Sequence, residues 1–149
     1  MRIPGLKTAR MLSRWAQARV LGGALILGYH RISVAEYDIY DVCVSPENFA
    51  AHIQALRQYA NPISLTKLVQ CLRHGVLPPK SVAVTFDDGY TDNLYVAKPI
   101  LEKYAIPATV FICTGYMGKE FWWDELEHLV LTSQADPRAL CVKVGKTQF

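Results

Sequence analysis

Two adjacent carboxylates, Asp87 and Asp88, stand directly after an apolar, β-branched run and directly before Gly89. The run, residues 81–86, predicts a buried strand, and α/β proteins build their sites at the carboxyl ends of parallel strands. Glycine permits the sharp turn that lets neighbouring side chains share one pocket. Two carboxylates there can divide labour, since one can bind a cation while the other accepts a proton from water. On the dipeptide alone, solvated acids that open a loop, with Asp88 or Asp92 as a helix cap, are the simpler explanation.

The elements that must position these carboxylates follow an alternating order. Ser45 before Pro46 predicts a helix start, because serine caps the first turn and proline fits the first helical position. Gly75 is placed to end a second helix, and Pro99 predicts a local kink in a third. The predicted strands are 24–32, 62–65, 81–86, 108–113 and 140–144, and the predicted helices are 45–60, 65–72, 92–104 and 122–132. This alternation predicts βαβ units and a parallel sheet.

Composition and charge bound the class of protein. The 149 residues are 51% apolar and 19% charged, which is typical of a globular domain, and a net charge of +3 does not indicate a nucleic-acid partner. Residues 1–19 nevertheless contain basic residues and no acidic one, on one face of a predicted helix whose other face is apolar. Such a helix commonly covers one end of a domain. The alternative is peripheral contact with an anionic membrane or an acidic partner.

Neither a targeting signal nor a cysteine motif points to a particular function. The apolar run 20–28 leads straight into Tyr29 without a convincing cleavage site, and it is far shorter than the roughly 20 residues that span a bilayer. We therefore expect a cytoplasmic chain. The cysteines form no C-x-x-C pair, so they are interpreted as structural thiols rather than as a zinc or redox site; they are Cys43, Cys71, Cys113 and Cys141.

The residues around the two aspartates favour a functional pair of carboxylates over solvated acids that open a loop. The run Thr85-Phe86-Asp87-Asp88-Gly89-Tyr90 resembles the first motif of the polysaccharide deacetylase family, whose catalytic domain is named after NodB. The resemblance covers roughly residues 24–131. Its other parts are Tyr29-His30-Arg31-Ile32, residues 45–56, residues 97–101 with 107–111, and residues 121–126.

This resemblance implies an α/β fold that is the N-terminal portion of a deformed (β/α) barrel. Beside the basic extension that the charge pattern predicts over residues 1–23, it implies a partial NodB-like domain over residues 24–149, which stops before the second metal-binding motif. The implied activity is metal-dependent hydrolysis of acetyl groups on carbohydrate, either N-acetyl amino sugars or O-acetyl polysaccharides. Such an enzyme is a hydrolase of non-peptide carbon–nitrogen bonds.

The same resemblance assigns roles to single residues. Asp87 would be the catalytic base and Asp88 a ligand of a divalent metal, with zinc as the default. A carbohydrate or polysaccharide is the expected substrate partner. Apart from the resemblance, Tyr90, His30 at the end of the first predicted strand, and Trp122, which could stack on a sugar ring, are candidate pocket residues. The alternatives are a hydrogen-bonded strand histidine for His30 and core packing for Trp122 with Trp123.

The family's histidine ligands cannot be placed on this sequence, because no two of its histidines have the required spacing. Asp124 and His128, at i and i+4, are a substitute pair, although the helix dipole alone favours an acid in a first turn. Three hypotheses follow. The chain is an enzyme whose other motifs lie on further sequence, a catalytically inactive remnant that binds carbohydrate or another protein, or half of a split enzyme. We favour the first, since both aspartates are intact.

An incomplete barrel has a physical consequence of its own. It leaves a sheet edge unpaired and an apolar face uncovered. We therefore expect the chain, expressed alone, to associate with itself.

Overall fold

The structure is a computed structural model that describes residues 23–35, 38–131, 143–144 and 147–148. The chain divides into two compact units, the first up to Cys113 and the second from Thr114 onward. The basic helix expected within residues 1–23 falls almost wholly outside the described residues, so that helix, its membrane contact and the cytoplasmic location stay predictions. Within the described ranges, no helix has the length and apolar character needed to cross a membrane.

The first unit contains six strands and three helices among its described residues. The strands are β1 (Leu25–Tyr29), β2 (Arg31–Ile32), β3 (Cys43–Val44), β4 (Asn61–Pro62), β5 (Ser81–Phe86) and β6 (Ala108–Val110). The helices are α1 (Pro46–Tyr59), α2 (Leu65–His74) and α3 (Lys98–Lys103), the last preceded by a π-helical turn, Asn93–Ala97. The second unit has a 3₁₀ turn (Thr114–Tyr116), helix α4 (Trp122–Leu131) and an antiparallel pair, β7 (Lys143–Val144) with β8 (Thr147–Gln148).

Strand β5 is the centre of a four-stranded parallel sheet. All five residues of β1 pair with it along one edge. The other edge is shared, since β4 pairs with its first two residues and β6 with its last three. The carbonyls of Val82 and Phe86 accept from the amides of Ile63 and Phe111, and alternate residues of a strand direct their backbone groups to the same edge. The predicted α/β fold with a parallel sheet is confirmed.

Helix α1 covers one face of this sheet. The Ser45 hydroxyl accepts from the amide of Asn48 at 3.2 Å and Pro46 occupies the first turn, as the sequence predicts. Phe49 and Ile53 lie one turn apart and are both fully buried. They join a core cluster that also contains Ile32, Val84, Phe86, Ala97, Leu101 and Ile106.

The third helix departs from the expected single helix over residues 92–104. Pro99 offers no N–H, and its ring would clash with the carbonyl four residues earlier in a regular α-helix. The chain widens instead into the π-helical turn, in which the amide of Lys98 donates to the carbonyl of Asn93. The irregularity before the proline thus takes the form of a π-helical turn in the five residues that precede α3.

Other boundaries differ for local reasons. The strand expected over residues 62–65 is Asn61–Pro62, because Ser64 instead caps α2 by accepting from the amide of Lys67 at 3.2 Å. The strand expected over residues 24–32 breaks at His30, whose carbonyl bonds to a side chain rather than to a neighbouring strand. Of the strand expected over residues 140–144, the structure describes only Lys143–Val144, paired with β8.

Candidate active site

The two aspartates stand at the carboxyl end of the most buried strand. All six residues of β5 are buried, and the amide of Asp87 donates to the carbonyl of Tyr29 at 2.9 Å, which extends the β1–β5 ladder by one step. Val84 and Phe86 belong to the core beneath α1, so alternation places Thr85 and Asp87 on the opposite face of the sheet. Asp87 therefore projects away from the helices at the edge where a β/α barrel carries its site.

A tight turn presents Asp88. The amide of Gly89 donates to the carbonyl of Asp87 at 2.8 Å, and Asp88 between them has a φ of 69°. A bond from residue i+2 to residue i around a positive φ is a γ-turn, a rare and strained conformation. Aspartate tolerates it better than most side chains do. Backbone strain of this kind is commonly found at functional sites.

Gly89 is required at the next position for two reasons. Its φ is 77°, in the left-handed region that favours glycine. A Cβ there would also lie 2.7 Å from Cγ2 of Ile112, closer than real Cβ atoms approach. The turn after β5 and the segment after β6 therefore pack backbone against side chain, with no space for a larger residue.

Cys113, the residue after Ile112, contacts both the backbone and the side chain of Asp88. Its amide donates to the Asp88 carbonyl at 3.1 Å, and its thiol lies 3.8 Å from Oδ1 of Asp88. The Asp87–Asp88 dipeptide is thus held at Asp87 by the end of β1 and at Asp88 by the chain that follows β6. Cys113 is a free thiol, as are Cys43 and Cys71, and Cys141 lies outside the described residues.

His30 lies beside Asp87, as the sequence suggested. Its Nε2 is 3.9 Å from Oδ2 of Asp87, and the two side chains are 40% and 48% exposed. Gly28 pairs with Thr85 in the parallel register, so His30 and Asp87 follow them on the same face of the sheet. The distance is longer than a hydrogen bond, so the two groups are neighbours rather than bonded partners. A solute can reach both groups.

Tyr90 and Trp122, the other candidate pocket residues, have different surroundings. The Arg31 guanidinium lies 4.8 Å from the centroid of the Tyr90 ring, a cation–π distance. Trp122 belongs to the second unit, where it is 57% exposed and meets Trp123 edge-on at 5.7 Å. The structure therefore brings His30 to Asp87, and leaves Trp122 as a prediction.

An aromatic cluster supports the ends of β1 and β5 from below. The Tyr29 ring meets Phe49 edge-on at 5.1 Å and stacks near Phe86 at 5.7 Å, and Phe49 meets Phe86 at 5.8 Å. Pairs of this geometry add to the stabilisation from buried area. Burial in the cluster raises the pKa of the Tyr29 hydroxyl.

The donor set for a metal is incomplete in the described part of the chain. Among those residues, no group of three or more His, Cys, Asp or Glu side chains could hold a metal ion. A catalytic zinc normally takes three protein ligands. Asp88 can therefore supply one ligand, and a firmly held metal needs others from beyond the described residues. The substitute pair Asp124 and His128 belongs to no such group.

Sequence reasoning missed the residues that hold this site in place. Asp92 was considered only as a helix cap, yet its carboxylate makes no capping bond and instead contacts residues 31 and 32. Asn93 is buried in a helical stretch where apolar residues are expected. An asparagine at a core position of a helix was the signal that could have marked this cluster.

Comparison with known proteins agrees with the motif. Residues 74–133 match the polysaccharide deacetylase family. The poly-beta-1,6-N-acetyl-D-glucosamine N-deacetylase of Staphylococcus aureus (strain MSSA476) is 35% identical over a match that covers 65% of this chain and 38% of that protein. The chain thus spans about two fifths of the length of this relative.

Two solved structures resemble the fold. The Streptococcus pyogenes deacetylase PplD, in complex with acetate, has 30% identity and a TM-score of 0.58, with 71% of this chain and 51% of that chain covered. IcaB from Ammonifex degensii has 28% identity and a TM-score of 0.60, with 72% and 48% covered. With the intact motif at the end of β5, these similarities show that the chain belongs to the polysaccharide deacetylase family and carries part of its NodB-type α/β domain.

Proposed function

We propose that this chain provides the first half of a carbohydrate deacetylase site, in which Asp87 accepts a proton from the attacking water and Asp88 supplies one metal ligand. The observation that carries the proposal is the half-buried Asp87–Asp88 turn at the carboxyl end of β5, with His30 at 3.9 Å from Asp87. The Asp87 carboxylate is 48% exposed, so water and substrate can reach its oxygens. General-base assistance of this kind typically contributes 10²–10⁴-fold to a rate.

The metal dependence is part of the same proposal. A bound divalent metal, with zinc as the default, supplies water of lowered pKa and stabilises the negative charge that develops on the acetyl carbonyl. This chain contributes the Asp88 carboxylate, held in a fixed direction by the γ-turn and by Cys113. The remaining ligands come from outside the described residues.

The proposed substrate is a polymer of N-acetylated amino sugar. The Staphylococcus aureus relative is named for poly-beta-1,6-N-acetyl-D-glucosamine, and PplD was solved with acetate, the product of deacetylation. An amide of this kind is a non-peptide carbon–nitrogen bond. O-acetylated polysaccharide is the second candidate substrate, since the same carboxylate pair serves ester hydrolysis.

The test is a chimera. Residues 24–131 replace the corresponding segment of the Staphylococcus aureus deacetylase, and acetate release from poly-β-1,6-N-acetylglucosamine oligomers is measured with added Zn²⁺. We expect a folded, active chimera that loses activity with Asp87→Asn or Asp88→Asn. Glu102→Gln, an exposed acid on α3, is the matched control and should leave the rate unchanged.

One outcome would contradict the proposal, and a second would show how the site is completed. A folded chimera without activity on N-acetyl or O-acetyl substrates indicates an inactive remnant that binds carbohydrate or a partner. Activity of the 149-residue chain that appears only on addition of a second polypeptide would leave the roles of Asp87 and Asp88 in place and show that the enzyme is split between two chains.

A further inference from the structure

The Asp92 side chain is only 13% exposed, and each of its two carboxylate oxygens accepts a hydrogen bond. Oδ1 accepts from the backbone amide of Ile32 at 3.2 Å, and Oδ2 accepts from Nε of Arg31 at 3.4 Å. A buried carboxylate is costly unless its oxygens are satisfied by donors. The one residue therefore bonds to both the backbone and a side chain of the segment that follows β1.

Asn93 holds the other side of the same segment. Its Nδ2 donates to the carbonyl of His30 at 2.8 Å and to Oδ1 of Asp92 at 2.9 Å. Its Oδ1 is buried and has no partner among the described residues. An unpaired buried oxygen is unfavourable. The orientation of the side chain is therefore set by the two hydrogen bonds of the amide nitrogen, because the oxygen contributes none within that part of the chain.

Together these contacts clamp the peptide groups on both sides of Arg31. The clamp, formed by Asp92 and Asn93, bonds to the carbonyl of His30 and to the amide of Ile32. Neighbouring side chains in extended chain point to opposite sides. Because Arg31 is directed toward Asp92, His30 is directed toward Asp87, at 3.9 Å.

The clamp lies on the same stretch of chain as the aspartates, shortly after the γ-turn. Asp92 and Asn93 stand only a few residues after Asp88, at the start of the π-helical turn. The Arg31 guanidinium lies over the ring of Tyr90, which stands between Gly89 and this turn in the sequence. The segment carrying His30 is thus fastened directly to the segment carrying Asp87, independently of the β1–β5 ladder.

We propose that Asp92 is a positioning residue that, with Asn93, holds His30 beside Asp87. His30 then forms one wall of the space around the Asp87 carboxylate and restricts its orientation. The role in catalysis rests on the proposed function, whereas the arrangement itself can be measured without any activity. Asp92 does not touch the reacting atoms and acts only through His30.

The first test follows the imidazole rings by NMR. The full chain is labelled with ¹⁵N at its histidines, and the His30 signals are assigned with His30→Gln. Magic-angle spinning gives the same ring signals if the chain associates. We expect Asp92→Ala to shift the His30 ring signals and leave those of His52 and His74 in place. Asp92→Asn, which keeps an acceptor for the Ile32 amide, should shift them less.

Glu102→Gln is the control, because this exposed acid contacts only Lys98 among the ion pairs of the described residues. Unchanged His30 signals in both Asp92 variants overturn the proposal. A uniform change of all histidine signals with Asp92→Asn overturns it too, since that is the mark of a general structural role. Asp92→Asn keeps the test decisive if Asp92→Ala fails to fold.

The second test uses the active chimera. Asp92→Ala should lower kcat roughly 10- to 100-fold with a smaller change in KM, as expected for a misplaced group. In a His30→Ala background it should add almost nothing, because the residue acts through His30. Additive losses contradict the proposal. If the unmutated chimera is inactive, the proposed function fails, and the ring signals alone still decide the positioning role.

Discussion

The backbone of Gly89 passes so close to Ile112 that a Cβ on the glycine would lie 2.7 Å from Cγ2 and 3.3 Å from Cα of the isoleucine. This contact joins the turn after β5 to the segment after β6. It fixes where the Asp87–Asp88 dipeptide lies relative to the open edge of the sheet. The geometry of the site therefore depends on a residue without a side chain.

Gly89→Ala should lower the free energy of unfolding by about 2–4 kcal/mol, from left-handed strain and overpacking together. Gly75→Ala is the matched control, because Gly75 has a similar φ of 68° and nothing within 4 Å of the added Cβ. It should cost about 1 kcal/mol. Urea unfolding of both variants measures the difference. Equal losses would show that the contact with Ile112 contributes nothing.

Tyr29 should make stability depend on alkaline pH. Burial raises the pKa of its hydroxyl above the ordinary value of 10.0. The unfolded chain then loses this proton at lower pH than the folded chain, so the contribution is complete below pH 10 and falls as pH rises through the folded pKa. Tyr29→Phe should flatten the decline in urea stability above pH 10.

The control for that measurement is Tyr59→Phe, since Tyr59 is 66% exposed. It should leave the alkaline decline unchanged. An identical decline in the Tyr29 variant would contradict the assignment. The absorbance of the phenolate reports the titration directly in the same samples.

Metal titration should separate the roles of the two aspartates. In the chimera, Asp88→Asn should abolish tight Zn²⁺ binding measured by calorimetry, because it removes a ligand. Asp87→Asn should retain most of the affinity while abolishing activity, because a base is not a ligand. Tight Zn²⁺ binding that survives Asp88→Asn would contradict the ligand assignment. The 149-residue chain alone should bind Zn²⁺ far more weakly than the chimera.

Self-association should follow from the sheet edges. Among the described residues, β1 and β6 each pair with β5 alone, and large apolar side chains near both strands are exposed: Leu25, Ile26, Val110, Phe111 and Ile112. Sedimentation should show oligomers that Val110→Lys reduces, because a charge on an edge opposes strand pairing. Val34→Lys, at an exposed position away from the sheet, should not. A monodisperse, cooperatively melting monomer would refute the prediction.

Much of the fold could be predicted from local signals. The six-residue strand β5, the serine caps of α1 and α2, and the glycine that ends α2 lie where propensity and capping place them. The predictions failed where tertiary contacts decide. The break at His30 depends on a bond to Asn93, more than sixty residues away in the sequence, and no window of local sequence contains it.

The site was predictable in the same uneven way. Asp87 and Asp88 could be named because strand, carboxylates and glycine are adjacent in the sequence. The nearness of His30 to Asp87 was expected because each residue stands at the carboxyl end of a predicted strand, with a hydrogen-bonded strand histidine as the equal alternative. The clamp of Asp92 and Asn93 was missed, because a carboxylate at a helix start is usually explained by the helix itself and the buried asparagine beside it was not taken as a signal.

The central place of β5 has a consequence for how the molecule opens. Its backbone bonds to β1 along one edge and to β4 and β6 along the other, so its amides cannot exchange with solvent unless a neighbouring strand separates. Protection of this kind approaches that of the whole cooperative unit. The helices can unfold locally and refold many times while the backbone hydrogen bonds of β5 stay formed. We therefore expect the pair of acids to be anchored to the part of the sheet whose amides exchange most slowly.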